Sequence, residues 1–387
     1  MYKSIKATFL RILDAFTLTE SLVFFVALIL AGISILAITY KVNESFMVEV
    51  PQDGGTHIEG FVGAPRSIHP LFAITDTDKD LVSLVYSGLM RATAEGTLIP
   101  DLAESYTISE DGKTYDFKIR EDATFHDGTE VTADDVAYTI AVAQDPEFKS
   151  PKRALWEGVQ VVVVSPKEIQ FTIRQPYGGF LANTTVGIVP KHLWSGVSAE
   201  EMSFSTLNTR PIGSGPYKFS SVVLNESGLP TSMKLKAFSD FALGKPHIST
   251  FVAHFYPNEK ARLTALQSGD ITAAAGISED AATTLSSENN LTILASPLNR
   301  IFGVFLNQNN APVLAHKELR TALSQAVDRK LLVQNIFAGY GTEIDSPIPP
   351  FESITGTSTL NTSQLSTEEI IAQLAKAGWV IGADGIL

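Results

Sequence analysis

The chain contains no cysteine among its 387 residues. Disulfides, thiolate metal sites and cysteine nucleophiles are therefore excluded, and so is a lipid anchor attached through a cysteine. Basic residues are also scarce, because 29 Lys and Arg against 42 Asp and Glu leave a formal net charge of −13. This balance repels phosphate backbones, and no cluster of Lys and Arg offsets it. We therefore expect no nucleic acid partner.

Catalytic and metal-binding motifs are missing as well. The seven histidines show no H-E-x-x-H spacing, and His247 with His254 is too weak a pair to predict a metal site. The chain has neither a P-loop nor a G-x-G-x-x-G motif, and Gly213-Ser214-Gly215 lacks the G-x-S-x-G spacing of a nucleophile elbow. We therefore predict no metal, no cofactor and no enzymatic activity.

A long uncharged apolar run lies near the N-terminus, from Ser21 to Thr39. Its length is close to the ~20 residues that cross the hydrocarbon core of a bilayer. A cleaved signal peptide is the alternative, but its apolar region normally spans only ~7 to 15 residues, and no clear A-x-A cleavage site follows this run. We predict an uncleaved, single-pass transmembrane anchor at residues 21–40.

The charges on either side of the run predict its orientation. Basic residues precede it, whereas acidic residues dominate the segment that follows Lys41. By the positive-inside rule, residues 1–20 are cytoplasmic and the bulk of the chain is extracellular or periplasmic. Residues 41–54 are polar and contain a proline and a glycine, which is typical of a linker between a membrane and a folded domain.

The rest of the chain mixes strand and helix patterns. Apolar and polar residues alternate with a period of two in TYDFKIR (114–120) and EIQFTIR (168–174), which predicts half-buried strands. Asn258 before EKARLTALQS, and Ser366 with Glu369 before IIAQLAKA, are typical of helix N-termini. With no short internal repeat and no low-complexity tract, the pattern indicates an α/β body.

The stretch FHDGTEVTADD, which begins at Phe125, is dense in polar groups and so suggests an enzyme. Thr132 and Asp135, however, have the spacing of a capping box, in which both side chains bond backbone amides of the first helical turn. Asp127 with the following glycine is typical of a tight turn. His126 has no neighbouring nucleophile or orienting group. We therefore predict that the stretch is scaffold.

The order of several segments resembles a known family. The matching segments are SIHPLF, then VYSGLMRATAEGTLIPDLAESYTISEDGKTYDFKIREDATFHDGTEVTADDVAYTI, GIVPKHLW, PIGSGPYKF, ARLTALQSGDI, ELRTALSQAVDRKLL and AKAGWVIGADGI. Together they resemble the peptide/nickel class of bacterial extracellular solute-binding proteins, family 5. Its members are the receptors of ATP-driven importers.

The resemblance implies an α/β, two-lobed periplasmic-binding-protein-like fold of type II. The core of lobe one would comprise residues 55–90 and 201–271, with a subdomain of residues 91–200 inserted into it. Lobe two would span residues 272–387. Family members usually continue well past the last matching segments, so we expect the chain to be C-terminally incomplete.

The function that the resemblance implies is that of a tethered receptor. Its two lobes close about a hinge around an oligopeptide or a related small solute, and the closed form delivers the solute to the permease of an ABC importer. We expect such a receptor to be a monomer. Two alternatives stay open, an anchored ligand sensor or adaptor and an extracellular hydrolase.

The resemblance also points to ligand-binding residues. The segment after the H-P pair, Ile74, Thr75 and Asp76, would hold a peptide as an added strand through its main chain. Asp76 is a candidate for an ammonium terminus, although an acid on such a loop is more often only solvated.

Two further segments match cleft-facing positions of the family. Arg153 and Trp156 would hold a carboxylate and an apolar group of the ligand. The alternative is that Trp156 belongs to the core and Arg153 to the surface. Asn183 is the last candidate, and its alternative role is that of a turn former.

Overall fold

The structure is a computed structural model that describes residues 17–47, 51–94, 96–288, 290–295, 301–344, 364–379 and 382. It divides into two compact units. Unit 1 comprises Met1–Ile58 and Ala64–His254, and unit 2 comprises Glu59–Gly63 and Phe255–Leu387. Unit 2 thus begins before Thr272, near which lobe two is predicted to start.

Helices and strands alternate along most of the chain. The helices are α1 Leu18–Phe46, α2 Asp76–Val85, α3 Ala133–Gln144, α4 Arg153–Trp156, α5 Phe180–Asn183, α6 Lys191–Trp194, α7 Ala199–Met202, α8 Glu259–Ser268, α9 Glu279–Leu285, α10 Lys317–Ala326, α11 Arg329–Ile336 and α12 Thr367–Lys376. The strands are β1 Gly54–Val62, β2 Met90–Ala92, β3 Leu98–Pro100, β4 Ala103–Ile108, β5 Thr114–Ile119, β6 Gln160–Ser165, β7 Glu168–Thr172, β8 Tyr217–Leu224, β9 Pro230–Ala237, β10 Ile248–Tyr256 and β11 Ala273–Ala274.

Helix α1 contains the predicted anchor. Its 29 residues are about 43 Å long at the usual rise of about 1.5 Å per residue. The part from Leu18 to Asn43 is long and apolar enough to cross a membrane, and its apolar side chains are exposed rather than packed in a core. The helix runs past the predicted end at residue 40, because no helix-breaking residue occurs before Pro51. Part of the predicted linker is therefore helical.

A five-stranded sheet has the strand order β11-β1-β10-β9-β8. Strands β8, β9 and β10 are antiparallel neighbours, whereas β1 pairs in parallel with β11. On β9, Met233 and Leu235 are buried and the residue between them is exposed, as expected for a strand with one face on a core.

A second, antiparallel sheet has the order β4-β5-β7-β6 and lies within the predicted inserted subdomain. Both strands predicted from alternation are in it, since TYDFKIR forms β5 and EIQFTIR forms β7. Phe117 lies opposite Ile169 in the register, and both are buried. Helix α3 buries Val136 and Ile140 and contacts β6 and β7.

The segment Gly213-Ser214-Gly215 is a close backbone crossing. A Cβ on Gly213 would overlap the carbonyl oxygen of Val85, and one on Gly215 would lie 2.6 Å from the carbonyl carbon of the same residue. The amide of Gly215 donates a 2.8 Å hydrogen bond to the oxygen of Val85. The glycines are therefore needed for this close backbone contact.

Unit 2 contains the helices whose ends were predicted from sequence. Asn258 caps α8 by accepting from the amide of Ala261, and Gly269 ends this helix with a left-handed φ of 81°. Ser366 and Glu369 form the predicted capping box of α12. The buried Arg262 of α8 donates to the carbonyl oxygen of Ala275 at 2.6 Å. Its guanidinium thus links α8 to the segment that follows β11.

Candidate ligand-binding site

The stretch around His126 is scaffold, as predicted. The Nδ1 atom of His126 accepts from the amide of Gly213 at 3.3 Å, so its Nε2 carries the proton and donates to the oxygen of Gly215 at 3.0 Å. Burial lowers the pKa of His126 to about 4, despite the opposing bond to Gly215. The imidazole is therefore neutral at pH 7, and both of its nitrogens bond backbone groups.

The acids of this stretch are also engaged. Asp135 accepts from the amide of Thr132 at 2.9 Å and from the amide of Lys191 at 2.8 Å, so it both caps α3 and holds the start of α6. Asp127 lies 2.8 Å from the Nε2 atom of His192. Burial opposes ionisation of Asp127, but bonds from Thr129 and His192 outweigh it and lower its pKa. These carboxylates hold the fold together.

The segment Ile74–Asp76 is a helix start rather than an extended loop. Thr75 is the N-cap of α2, and its side chain accepts from the amide of Asp78 while the Asp78 carboxylate accepts from the amide of Thr75. The backbone oxygen of Thr75 accepts from the amide of Lys79. The main chain of Thr75 is therefore engaged in the start of α2, and the holding of a peptide by this segment stays a prediction. The T-x-x-D capping pattern was the signal for this arrangement.

Side chains of this segment still face solvent. Ile74 is 70% exposed, and Asp76, the first residue of α2, is exposed and lies 3.3 Å from the Nζ atom of Lys79. A carboxylate in the first turn is stabilised by the helix dipole, which accounts for Asp76 without a ligand. The structure thus has the features of the solvated alternative and leaves the carboxylate accessible.

The two candidate residues of the short helix α4 differ in their burial. Trp156 is only 1% exposed, and its ring packs against Phe171 at 5.9 Å and Phe180 at 6.0 Å between centroids. The indole is thus in the core, as in the alternative interpretation, and does not reach a ligand in this conformation. Arg153 lies on the exposed side of the same turn.

Asn183 is at the end of α5, where its side-chain amide donates to the oxygen of Leu155 at 3.0 Å and to the hydroxyl of Tyr177 at 2.7 Å. The bond to Leu155 joins α5 to α4. The Oγ atom of Ser150, which precedes α4, donates to the backbone oxygen of Leu71 at 2.8 Å. This bond links the residues before α4 to the segment before Ile74. Three of the predicted segments are therefore connected through hydrogen bonds in unit 1.

An open groove of about 380 Å³ lies beside α4. Its polar lining residues are Gln144, Arg153, Glu157, Gln160, Thr172 and Arg174. An adjoining groove of about 230 Å³ shares Glu157 and Arg174 and reaches Leu155 and Tyr177. Sequence reasoning missed Arg174, although it directly follows a predicted strand and precedes the turn signal QPYGG.

Relatives of known function share the chain's fold. The oligopeptide-binding protein AppA from Bacillus subtilis is 30% identical over 344 residues, which are 87% of this chain and 62% of that protein. The crystal structure of AppA in complex with a nonapeptide has a TM-score of 0.63 at 28% identity, covering 87% of this chain and 66% of AppA. This chain thus spans about three fifths of the length of AppA.

Two other solved structures are similar. The ABC transporter substrate-binding protein CtaP from Listeria monocytogenes has a TM-score of 0.70 at 29% identity, covering 85% of this chain and 66% of CtaP. NikZ from Campylobacter jejuni, solved in complex with Ni(L-His), has a TM-score of 0.64 at 26% identity, covering 87% of this chain and 65% of NikZ. These likenesses confirm the predicted α/β fold of type II periplasmic binding proteins.

The family assignment rests on most of the chain. Residues 97–387 match the model of the bacterial extracellular solute-binding proteins, family 5 Middle. The relatives named above are binding proteins and not enzymes. The chain belongs to family 5 of the bacterial extracellular solute-binding proteins.

Proposed function

We propose that this protein is a membrane-tethered extracellular or periplasmic receptor that captures oligopeptides, or a related small solute, by closure of its two lobes. It passes the captured solute to the permease subunits of an ABC importer and acts as a monomer. Peptides are favoured over metal chelates because the relative AppA was solved with a nonapeptide and is 30% identical to this chain.

The observation that carries the proposal is the exposed surface of α4 and its neighbours. Leu155 and Tyr177 present apolar area, and Arg153 adds a guanidinium. Exposed apolar side chains beside polar and charged groups can contact both parts of a peptide. The bonds of Asn183 to Leu155 and Tyr177 hold this surface in place.

We place Ile74, Thr75 and Asp76 at the margin of the same site. Ile74 supplies an exposed apolar side chain, and Asp76 an accessible carboxylate for an ammonium group. Thr75 acts through the N-cap of α2, which orients the carboxylate beside it. Trp156 supports the site from the core, because it lies on the same helical turn as Arg153.

Helix α1 is the tether in this proposal. A receptor held at the membrane stays near its permease, which raises its effective concentration at the docking surface. In cells, the full chain is expected in the membrane fraction after alkaline carbonate washing, and protease added outside is expected to digest the folded part. Release of the intact folded part into the medium would contradict the tether and indicate cleavage of α1.

The test of the function uses the full chain in lipid nanodiscs. Its thermal midpoint is measured with pooled di- to hexapeptides, because a ligand at 100 times its dissociation constant adds about 2.7 kcal/mol of stability. We expect an upward shift, with the bound peptide recovered intact by mass spectrometry. Recovery of hydrolysed peptide would favour the hydrolase alternative, and no shift with any pool would contradict peptide binding.

Side-chain variants locate the site. Arg153→Ala is expected to weaken binding of a peptide identified in the pools. Lys152→Ala removes the same charge from the neighbouring residue, and we expect it to leave the affinity for that peptide unchanged. Equal affinities of these two variants would remove Arg153 from the site.

A further inference from the structure

One side of the five-stranded sheet carries three lysines. Lys218 of β8 lies directly opposite Lys236 of β9, and Lys234 is two residues from Lys236 on the same strand. Residues that are opposite each other or two apart on a strand share a side of the sheet. Lys234 and Lys236 are exposed, and Lys218 is half-buried. We call this side of the sheet the lysine face.

The lysine face is free of acidic side chains over the described strands. The register places six further residues on it, and none of them is acidic: Ser221, Val223, Ser232, Thr250, Val252 and His254. Among the described residues, no carboxylate lies within 4.0 Å of the three ammonium groups. A purely basic face contrasts with the net charge of −13 of the whole chain.

The fold itself does not balance these charges. Like charges directly opposite each other on neighbouring strands destabilise a sheet, so the pair of Lys218 and Lys236 has a cost. The Nζ atom of Lys218 lies 5.8 Å from the ring centroid of Phe238, which partly offsets that cost. Lys234 and Lys236 are left without a counter-charge in the described part of the chain. A negatively charged surface outside the chain would supply it.

The membrane is within reach of the lysine face. Helix α1 ends at Phe46 and β1 begins at Gly54, so this connection spans less than about 30 Å even when fully extended. The amide of Gly54 donates to the oxygen of His247, and Lys236 pairs with Thr250 on the same strand β10. At the usual strand spacing and rise per residue, Lys236 is then about 14 Å from Gly54.

We propose that the lysine face rests on anionic lipid headgroups of the membrane that α1 spans. A lysine beside an anionic bilayer strengthens attachment by about fivefold, and the attraction acts only within a Debye length, about 8 Å at physiological ionic strength. The short tether keeps the face close enough for this attraction. Val223, which is 56% exposed on the same face, adds an apolar side chain for the lipid interface.

This inference rests on the tether in the proposed function and adds which side of the folded part contacts the membrane. It does not depend on the identity of the solute, because no residue of the lysine face belongs to the candidate ligand-binding site.

The experiment uses the full chain in nanodiscs of phosphatidylcholine alone or of phosphatidylcholine and phosphatidylglycerol in equal parts. Because the chain has no cysteine, Ser221→Cys provides a unique site for a fluorescent label on the lysine face. Energy transfer from this label to an acceptor on the lipid headgroups measures the ratio of docked to undocked molecules. We expect this ratio to be higher on the anionic nanodiscs and to fall when salt is added.

Charge variants test the role of the lysines. In the labelled protein, the combination of Lys218→Gln, Lys234→Gln and Lys236→Gln is expected to lower the docked ratio on anionic nanodiscs by at least about tenfold. The matched control combines Lys113→Gln, Lys149→Gln and Lys152→Gln, which remove the same charge from the inserted subdomain, and we expect it to dock like the original protein. Equal thermal midpoints of the two triple variants show that both are folded.

A second readout tests which side of unit 1 is covered. A water-soluble quencher is expected to reach the label at Ser221→Cys less readily on anionic nanodiscs. A label at Thr107→Cys, an exposed position of β4 in the other sheet, is expected to be quenched equally on both kinds of nanodisc.

Three results would overturn the inference. These are equal energy transfer on the two kinds of nanodisc, equal docking of the two triple variants, and equal protection of both labels. If any of them occurs while the protein stays in the membrane after carbonate washing, the tether stands and only the docking face is wrong. Loss of the protein from the membrane fraction would show instead that the tether itself fails.

Discussion

Two polar regions of unit 1 differ in how their charged groups are partnered. In the scaffold region around His126, the imidazole and the carboxylates of Asp127 and Asp135 all bond backbone or side-chain groups. In the groove region, the guanidinium groups of Arg153 and Arg174 have no carboxylate partner among the described residues. The first region is richer in acid-base residue types, yet the second has the groups that are free to bind. A density of titratable residues therefore does not by itself identify a site.

The largest expected effect is in the scaffold region, at Gly213. Its amide donates to His126, and a Cβ would overlap the carbonyl oxygen of Val85. Overpacking of this kind usually costs about 1–3 kcal/mol, and the neighbour here is backbone that yields little, so we expect Gly213→Ala to lower the free energy of unfolding by about 3 kcal/mol. Denaturant titration measures it. Gly196→Ala is the control, since no atom lies within 4 Å of a Cβ there; equal stabilities of the two variants would contradict the close crossing.

The next effect compares two adjacent carboxylates. Asp135 is buried and accepts from two backbone amides, whereas Asp134 is exposed and has a 3.4 Å contact with the Nζ atom of Lys191. Asp135→Ala removes a cap and leaves the amide of Lys191 without its partner, so we expect a loss of about 2–3 kcal/mol. For Asp134→Ala we expect a loss below about 1 kcal/mol, as for other exposed ion pairs. Similar losses for both variants would mean that Asp135 has no special structural role.

The pH dependence of stability is a third test of the scaffold. The ordinary pKa of a histidine is 6.5, and burial lowers the pKa of His126 to about 4 in the folded state. Between these values the unfolded chain binds the proton and the folded chain does not, so stability falls as the pH drops from 6.5 towards 4. The nearby Lys218 adds to this trend and Asp127 opposes it.

The variant His126→Gln isolates this contribution, because a glutamine amide can still donate to Gly215 but does not titrate. We expect the variant to lose on the order of 2 kcal/mol less stability than the original protein between pH 6.5 and 4. Part of the pH dependence persists in both, since burial lowers the pKa of His69 to about 3. Identical pH profiles of the two proteins would show that His126 is not a buried neutral group.

Much of the fold was predictable from local patterns. The capping residues Asn258 and Ser366 and the alternation in β5 and β7 depend on neighbouring atoms in the chain, so they are visible in the sequence. The role of Gly213 was not predictable in this way, because it depends on the contact with Val85, which is distant in sequence.

The candidate site was less predictable for the same reason. Trp156 and Arg153 are three residues apart, and only the packing of Phe171 and Phe180 decides which of them is buried. Arg174 joins the groove through the pairing of β6 with β7, which is a long-range contact. Residue type and spacing alone do not contain this information.

The smallest expected effect on stability is in the groove region. Arg153 is exposed and without a carboxylate partner among the described residues, so we expect Arg153→Ala to change the free energy of unfolding by no more than about 0.5 kcal/mol. The double variant with Arg174→Ala is expected to be equally stable, since among the described residues neither side chain forms an ion pair. Denaturant titration measures the free energy of unfolding of both variants, with Lys152→Ala as the control. A loss above about 1.5 kcal/mol would mean that these arginines are structural, like Asp135, and the free charges of the groove would then be part of the scaffold.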